Sequence, residues 1–136
     1  MSSVLVDTNV LLDIATRDPQ WEEWSAKALD ECASRSLLVI NPIIYAEVSV
    51  GYERIEDLDA ALPSDIYKRE PLPFEASFLA GKCYARYQRH GGARSSTLPD
   101  FFIGAHAAVR GYSLLTRDVR RYRSYFPTVT LIAPSR

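Results

Sequence analysis

Four carboxylates, Asp7, Glu47, Asp100 and Asp118, stand where a strand ends, where a helix begins or on the apolar edge of a helix. Soluble proteins seldom put acidic side chains in such places without compensation. Ionised carboxylates brought within about 5 Å of one another repel by roughly 3 kcal/mol per pair at an effective dielectric near 20. A cluster of that kind must take up protons or bind cations. Oxygen ligands alone select Mg²⁺, with Mn²⁺ as the alternative, over the zinc that thiolate and imidazole favour. Of the two histidines, His90 precedes a glycine pair beside arginines, a surface position, and His106 lies inside an apolar helix, where a hydrogen-bonded core histidine is expected.

Each acid also has a plain structural role open to it. Asp7 and Asp100 suit helix N-caps, Asp118 a turn, and Glu47 a partly exposed ion pair with an arginine. Four such roles would have to fall independently on residues whose expected locations converge on one rim, which favours the joint site.

The elements that must position these acids alternate. Val4 to Val6 is a β-branched, apolar run that ends at Asp7-Thr8-Asn9, three residues that favour helix starts. Trp24, Ala28 and Cys32 recur at helical spacing after Trp21. Leu37 to Ile40 reads as a buried strand, and Asn41-Pro42 supplies a cap and a first-turn proline for the helix carrying Tyr45, Glu47 and Val48. A short helix follows over 54–62, then an edge strand around Ile66 and Tyr67. A long helix runs from Pro73 to about Gln88, where Gly91-Gly92 breaks it, and GGARSST (91–97) reads as the most flexible stretch. Leu98-Pro99-Asp100 introduces FFIGAHAAV, apolar nearly all round and so packed on more than one side. Ser113 to Thr116 and Val129 to Ile132 are further strands, separated by a turn or helix over 119–125. Strands separated by helices imply a parallel sheet with helices on both faces. In such sheets ligands bind outside the carboxyl ends of the strands, where Asp7 and Asp118 are placed.

At 136 residues the chain fits one domain with one core, and 47% hydrophobic with 24% charged residues is ordinary globular usage. No apolar run reaches the roughly 18 residues of a membrane span, and the N-terminus lacks a signal-peptide pattern, so a cytoplasmic location is expected. Cys32 and Cys83 stand alone and read as buried small hydrophobes. The net charge of −1 excludes an overall basic sponge for nucleic acid, but arginine concentrates in Arg86, Arg89 and Arg94, then Arg117, Arg120, Arg121 and Arg123. The planar fork of arginine suits phosphate oxygens, and Tyr87, Tyr122 and Tyr125 interleave as stacking surfaces. Arg86, Arg89, Arg94, Arg117 and Arg120 are therefore the candidate substrate contacts, against the plainer reading of a solvated rim.

VLVDTNVLLD at the N-terminus, the glutamate of IIYAEV, LPDFFIGAHAAV and LLTRD occur in that order across nearly the whole chain. Together they resemble the PIN-domain ribonucleases, and specifically the toxin component of VapBC toxin-antitoxin modules. The resemblance implies a PIN-like three-layer α/β/α sandwich around a central, mostly parallel sheet of four to five strands, with 1–136 as a single PIN domain. It makes Asp7, Glu47, Asp100 and Asp118 the catalytic, metal-holding acids, and Asn9 and Thr116 their supporting polar residues. Gly104 stands where such helices commonly carry alanine.

By that resemblance the chain is a Mg²⁺-dependent endoribonuclease that cuts structured RNA, transfer or ribosomal, at unpaired positions and so inhibits translation. Water is the expected nucleophile, giving a 5′-phosphate and a 3′-hydroxyl, with cations near Asp7 and Asp100 and near Glu47 or Asp118 aiding attack and departure. The family further implies a homodimer and a cognate antitoxin laid across the acidic groove. Trp21 and Trp24 either line that groove or belong to the core.

Three rivals fit less well. A receiver domain needs an acidic pair after strand one and a late lysine, yet no lysine follows Lys82. A haloacid-dehalogenase-like phosphatase needs aspartate where Asn9 stands. A non-catalytic PIN-like module that only binds RNA or protein would tolerate loss of the acids, and all four are present.

Overall fold

The computed structural model describes residues 2–91 and 96–135. Among these, five strands form one sheet in the order β3-β2-β1-β4-β5, and every neighbouring pair is parallel. The strands are β1 (Ser2–Val6), β2 (Ser36–Ile40), β3 (Tyr67–Arg69), β4 (Ser113–Leu115) and β5 (Leu131–Ile132). The helices are α1 (Thr8–Ala15), α2 (Glu22–Ala33), α3 (Pro42–Ser49), α4 (Ile55–Ala61), α5 (Phe74–Arg89) and α6 (Leu98–Arg110). The parallel sheet expected from the alternation is present, and the mostly parallel sandwich that the resemblance implies is all-parallel among the described residues.

The strand order decides where a site can form. From β1 the chain steps outward through β2 to β3, then returns through α5 and α6 to β4 on the other side of β1. Right-handed crossovers place α1 to α4 on one face and α5 with α6 on the other. The direction of winding therefore reverses between β1 and β4, and the crevice outside their carboxyl ends is the natural binding place. Asp7 follows β1 there, and Thr116 follows β4.

Local chemistry sets the boundaries. Val4, Leu5 and Val6 are all buried because β1 is covered on both faces, which is why the run does not alternate. Asn41 caps α3 by accepting from the Ile44 amide at 2.9 Å, with Pro42 in the first turn, as the sequence indicates. At the far end of α6, Gly111 adopts φ 71°, the left-handed conformation that lets the chain turn sharply into β4. The stretch 119–125 holds only a short 3₁₀ turn, Val119–Arg121. Both cysteines are buried and free, and no described helix is long and apolar enough to cross a membrane. Most of 91–97, the stretch expected to be flexible, lies outside the described residues, and so does Arg94.

Candidate active site

Asp7 is the centre of the arrangement. It caps α1, its Oδ1 accepting the Thr8 amide at 2.7 Å, while its own amide donates to the Leu115 carbonyl and so continues the β1–β4 ladder. Oδ2 accepts from the Thr116 hydroxyl at 2.8 Å, the Tyr122 hydroxyl at 2.8 Å and the Asn9 amide at 3.3 Å. Asn9 also donates to Thr116 Oγ1, which in turn accepts the Asp118 amide. Burial pushes the Asp7 carboxyl up to about 6, with the charge of Asp100 adding to it, against the opposing pull of the Tyr122 and Thr116 hydroxyls. A carboxylate held this way has a standing electrostatic demand for a cation.

Asp100 reaches the same place from α6. The helix begins with Thr97 as N-cap, so Asp100 sits three residues in rather than at the cap itself. Its Oδ2 accepts the Thr97 amide at 2.9 Å, the reciprocal half of a capping box, leaving Oδ1 toward the crevice. Glu47 comes from the middle of α3, half-buried, and accepts a hydrogen bond from the Thr8 hydroxyl instead of pairing with an arginine. Asp7, Glu47 and Asp100 share the wall of one cavity of about 610 Å³ with Thr8, Asn9, Arg117 and Arg121. Asp118 stands at the margin and joins the group through Arg121.

Two arginines from the β4–β5 connection behave differently. Arg117 grips Asp13 with a two-pronged fork, Nε to Oδ2 at 2.7 Å and Nη2 to Oδ1 at 3.1 Å, and its guanidinium covers the Trp21 ring at 5.4 Å. Asp13 is 2% exposed and accepts a third bond from Ser25. Arg121 lies between two of the site acids, Nη1 3.4 Å from Asp100 Oδ1 and Nε 2.8 Å from Asp118 Oδ2. The second contact is off-line, so that Nε is buried without a hydrogen-bond partner among the described residues. Burial works against the charge of Arg121, and Asp100 and Asp118 outweigh it, keeping the guanidinium protonated.

The aromatic readings change most. Tyr122 is fully buried against Asp7, so it cannot serve as a stacking surface. Tyr87 and Tyr125 are half-buried and pack around Phe101. Trp24 packs on the core, and Trp21 is a half-buried edge partner of Trp24 and Arg117. Arg86, Arg89 and Arg120 are exposed, Arg86 lying over the Tyr125 ring. His90 is exposed, and His106 is a hydrogen-bonded core residue. Sequence alone gave Asp13 no role, read Tyr122 as a stacking surface and left Arg121 as one member of the basic patch. Asp13 carried one signal, since it lies three residues from the buried Val10 on the core-facing side of α1.

Whether the residues suit a hard divalent cation follows from the donors. Asp7, Glu47 and Asp100 offer only oxygen, no sulfur or imidazole lines the cavity, and the single guanidinium of Arg121 offsets only part of the charge of Asp100 and Asp118. Among the described residues no three acidic, histidine or cysteine side chains stand as a ready ligand set; Thr8 donates to Glu47, and Arg121 contacts Asp100 and Asp118. In donor chemistry and charge the site fits Mg²⁺ or Mn²⁺.

The model of the PIN domain family matches residues 4–126. The chain belongs to the PIN domain family. No curated protein matches it. Among solved structures, VapBC2 from Rickettsia felis bound to a DNA fragment from its promoter superposes with a TM-score of 0.73 at 17% identity, over 96% of this chain and 98% of that one. VapBC-1 from nontypeable Haemophilus influenzae gives 0.73 at 19%, over 96% and 97%, and DNA-bound VapBC from Salmonella typhimurium 0.69 at 22%, over 98% of each. At these identities the likeness speaks for the PIN fold.

Proposed function

We propose that this PIN domain is the toxin of a VapBC-type toxin-antitoxin pair and acts as a Mg²⁺- or Mn²⁺-dependent endoribonuclease on structured RNA. The observation that carries the reading is the convergence of Asp7, Glu47 and Asp100, from three distant segments, on one cavity at the β1–β4 reversal. The solved structures it superposes on are VapBC complexes, which supports a cognate antitoxin as partner. A homodimer and a cytoplasmic location belong to the same reading.

Asp7 and Asp100, with Glu47 or Asp118, would hold the cation. When bound, a divalent cation lowers the pKa of coordinated water and stabilises charge on a phosphodiester in the transition state. The chain's own part is orientation: Thr116, Asn9 and Tyr122 fix the Asp7 carboxylate, and the capping box fixes Asp100. No side chain needs to attack phosphorus, so products with a 5′-phosphate and a 3′-hydroxyl are expected. Arg86, Arg89 and Arg120 are exposed and would meet RNA phosphates, with Arg94 a further candidate from sequence.

Purified protein should cut folded transfer or ribosomal RNA with Mg²⁺ or Mn²⁺, stop with EDTA, and lose at least about a hundred-fold in rate as Asp100→Asn. RNA binding without cleavage in any divalent ion would instead support the non-catalytic module.

A further inference from the structure

We propose that Arg121 is a built-in counter-cation of the acidic site: in the RNA-free protein it lies between Asp100 and Asp118, competes with the divalent ion, and is drawn off by the RNA phosphate. This inference rests on the metal-dependent reading above and concerns how the same site is loaded.

The contrast between the two arginines of one connection carries it. Arg117 is a fixture, with two in-line bonds at 2.7 and 3.1 Å to a carboxylate that is 2% exposed. Arg121 contacts two acids at once and satisfies neither fully, with a long contact to Asp100 and an off-line one to Asp118. A buried N–H donor without a partner is unfavourable, so this placement is held by net charge and one long hydrogen bond, from Nη1 to Asp100 Oδ1 at 3.4 Å. Both arginines line the cavity and are about a third exposed, but only Arg121 keeps a buried Nε without a hydrogen-bond partner among the described residues, so it is the less firmly held of the two. A guanidinium is the preferred partner of a phosphate's paired oxygens, so an entering phosphodiester offers Arg121 the in-line bonds it lacks.

Two consequences distinguish this from a merely structural salt bridge. Removing Arg121 takes one positive charge from the cation's immediate surroundings and leaves Asp100 and Asp118 free to ligate, so affinity for the bare ion should rise. A structural arginine, on removal, would loosen the acids and lower it. At a separation of a few ångströms and near-aqueous screening, one charge against a divalent ion amounts to about a ten-fold change in affinity.

The test is a Mn²⁺ titration of the RNA-free protein, read by electron paramagnetic resonance of the free ion, on wild type, Arg121→Gln, Arg121→Lys and Asp100→Asn. Arg121→Gln should bind Mn²⁺ about ten-fold more tightly than wild type, and Arg121→Lys within about two-fold of it. Arg121→Met, which keeps the packed stem, serves in place of glutamine should that variant not fold. Equal or weaker Mn²⁺ binding in the neutral variant, with wild-type binding present and lost in Asp100→Asn, overturns the counter-cation proposal and leaves the metal site standing. No Mn²⁺ binding in wild type or in the neutral variant overturns both.

Discussion

Tyr122 donates its hydroxyl proton to Asp7 Oδ2 across 2.8 Å, with both side chains sealed from solvent. The pair fixes how the metal-free protein responds to pH. Asp7 titrates near 6 in the folded state and at 3.8 in the open chain, so between these values the folded protein holds a proton that the unfolded chain has released. Stability should therefore be greatest below pH 4 as far as Asp7 is concerned, and fall as pH rises to about 6, by on the order of 3 kcal/mol. Denaturant unfolding in EDTA across this range, compared with Asp7→Asn, should show that slope in wild type alone. In Tyr122→Phe, with one donor removed, the slope should extend to higher pH.

Arg117 was a candidate phosphate contact from sequence, and its fork on buried Asp13 argues for a structural role. Arg117→Ala leaves Asp13 buried without its charge partner and should cost about 3 kcal/mol in urea unfolding. A loss under about 0.5 kcal/mol together with a ten-fold weaker RNA affinity would return Arg117 to the substrate.

Gly104 has a concrete reason to depart from alanine. A Cβ there would fall 2.4 Å from Cδ2 of the buried Phe126 ring. Gly104→Ala should destabilise by about 1–3 kcal/mol, since the buried ring would have to shift, and pairing it with Phe126→Leu should recover part of that loss. Thermal denaturation of the two variants decides it.

His106 predicts the opposite pH response from Asp7. Asn41 Oδ1 faces the Ile44 amide, so its NH₂ faces His106 Nδ1, which must then be unprotonated, and Nε2–H donates to Glu70 at 2.7 Å. Burial lowers the His106 pKa below 6.5, against the opposing pull of Glu70. The folded state thus resists a proton that the unfolded chain accepts, and this stability is lost as pH falls below 6.5. His106→Gln keeps an acceptor and a donor without titrating, so the acid-side loss should shrink relative to wild type in unfolding measured from pH 7 to 5.

What could be read from the chain divides by range. Asp7 follows an apolar run and opens a helix, Asn41-Pro42 starts the helix that carries Glu47, and the parallel sheet follows from alternation, all signals within a few residues. The all-parallel order and the meeting of the acids at the β1–β4 reversal agree with those signals. The roles of Tyr122, Arg121 and Asp13 were not legible because each depends on a partner far along the chain. An arginine in a basic run looks the same whether it faces solvent, as Arg120 does, or lies between two acids, as Arg121 does. Tyr122 likewise reads as an exposed stacking ring until the fold buries it.

The central claim is that Asp7 and Asp100 share a divalent cation, and anomalous diffraction from crystals grown with Mn²⁺ tests it most directly. A manganese peak about 2.0–2.2 Å from oxygens of both residues, with Glu47 or Asp118 completing the set directly or through water, is the predicted result. Anomalous density confined to other surfaces, at Mn²⁺ concentrations that support RNA cleavage, would contradict it.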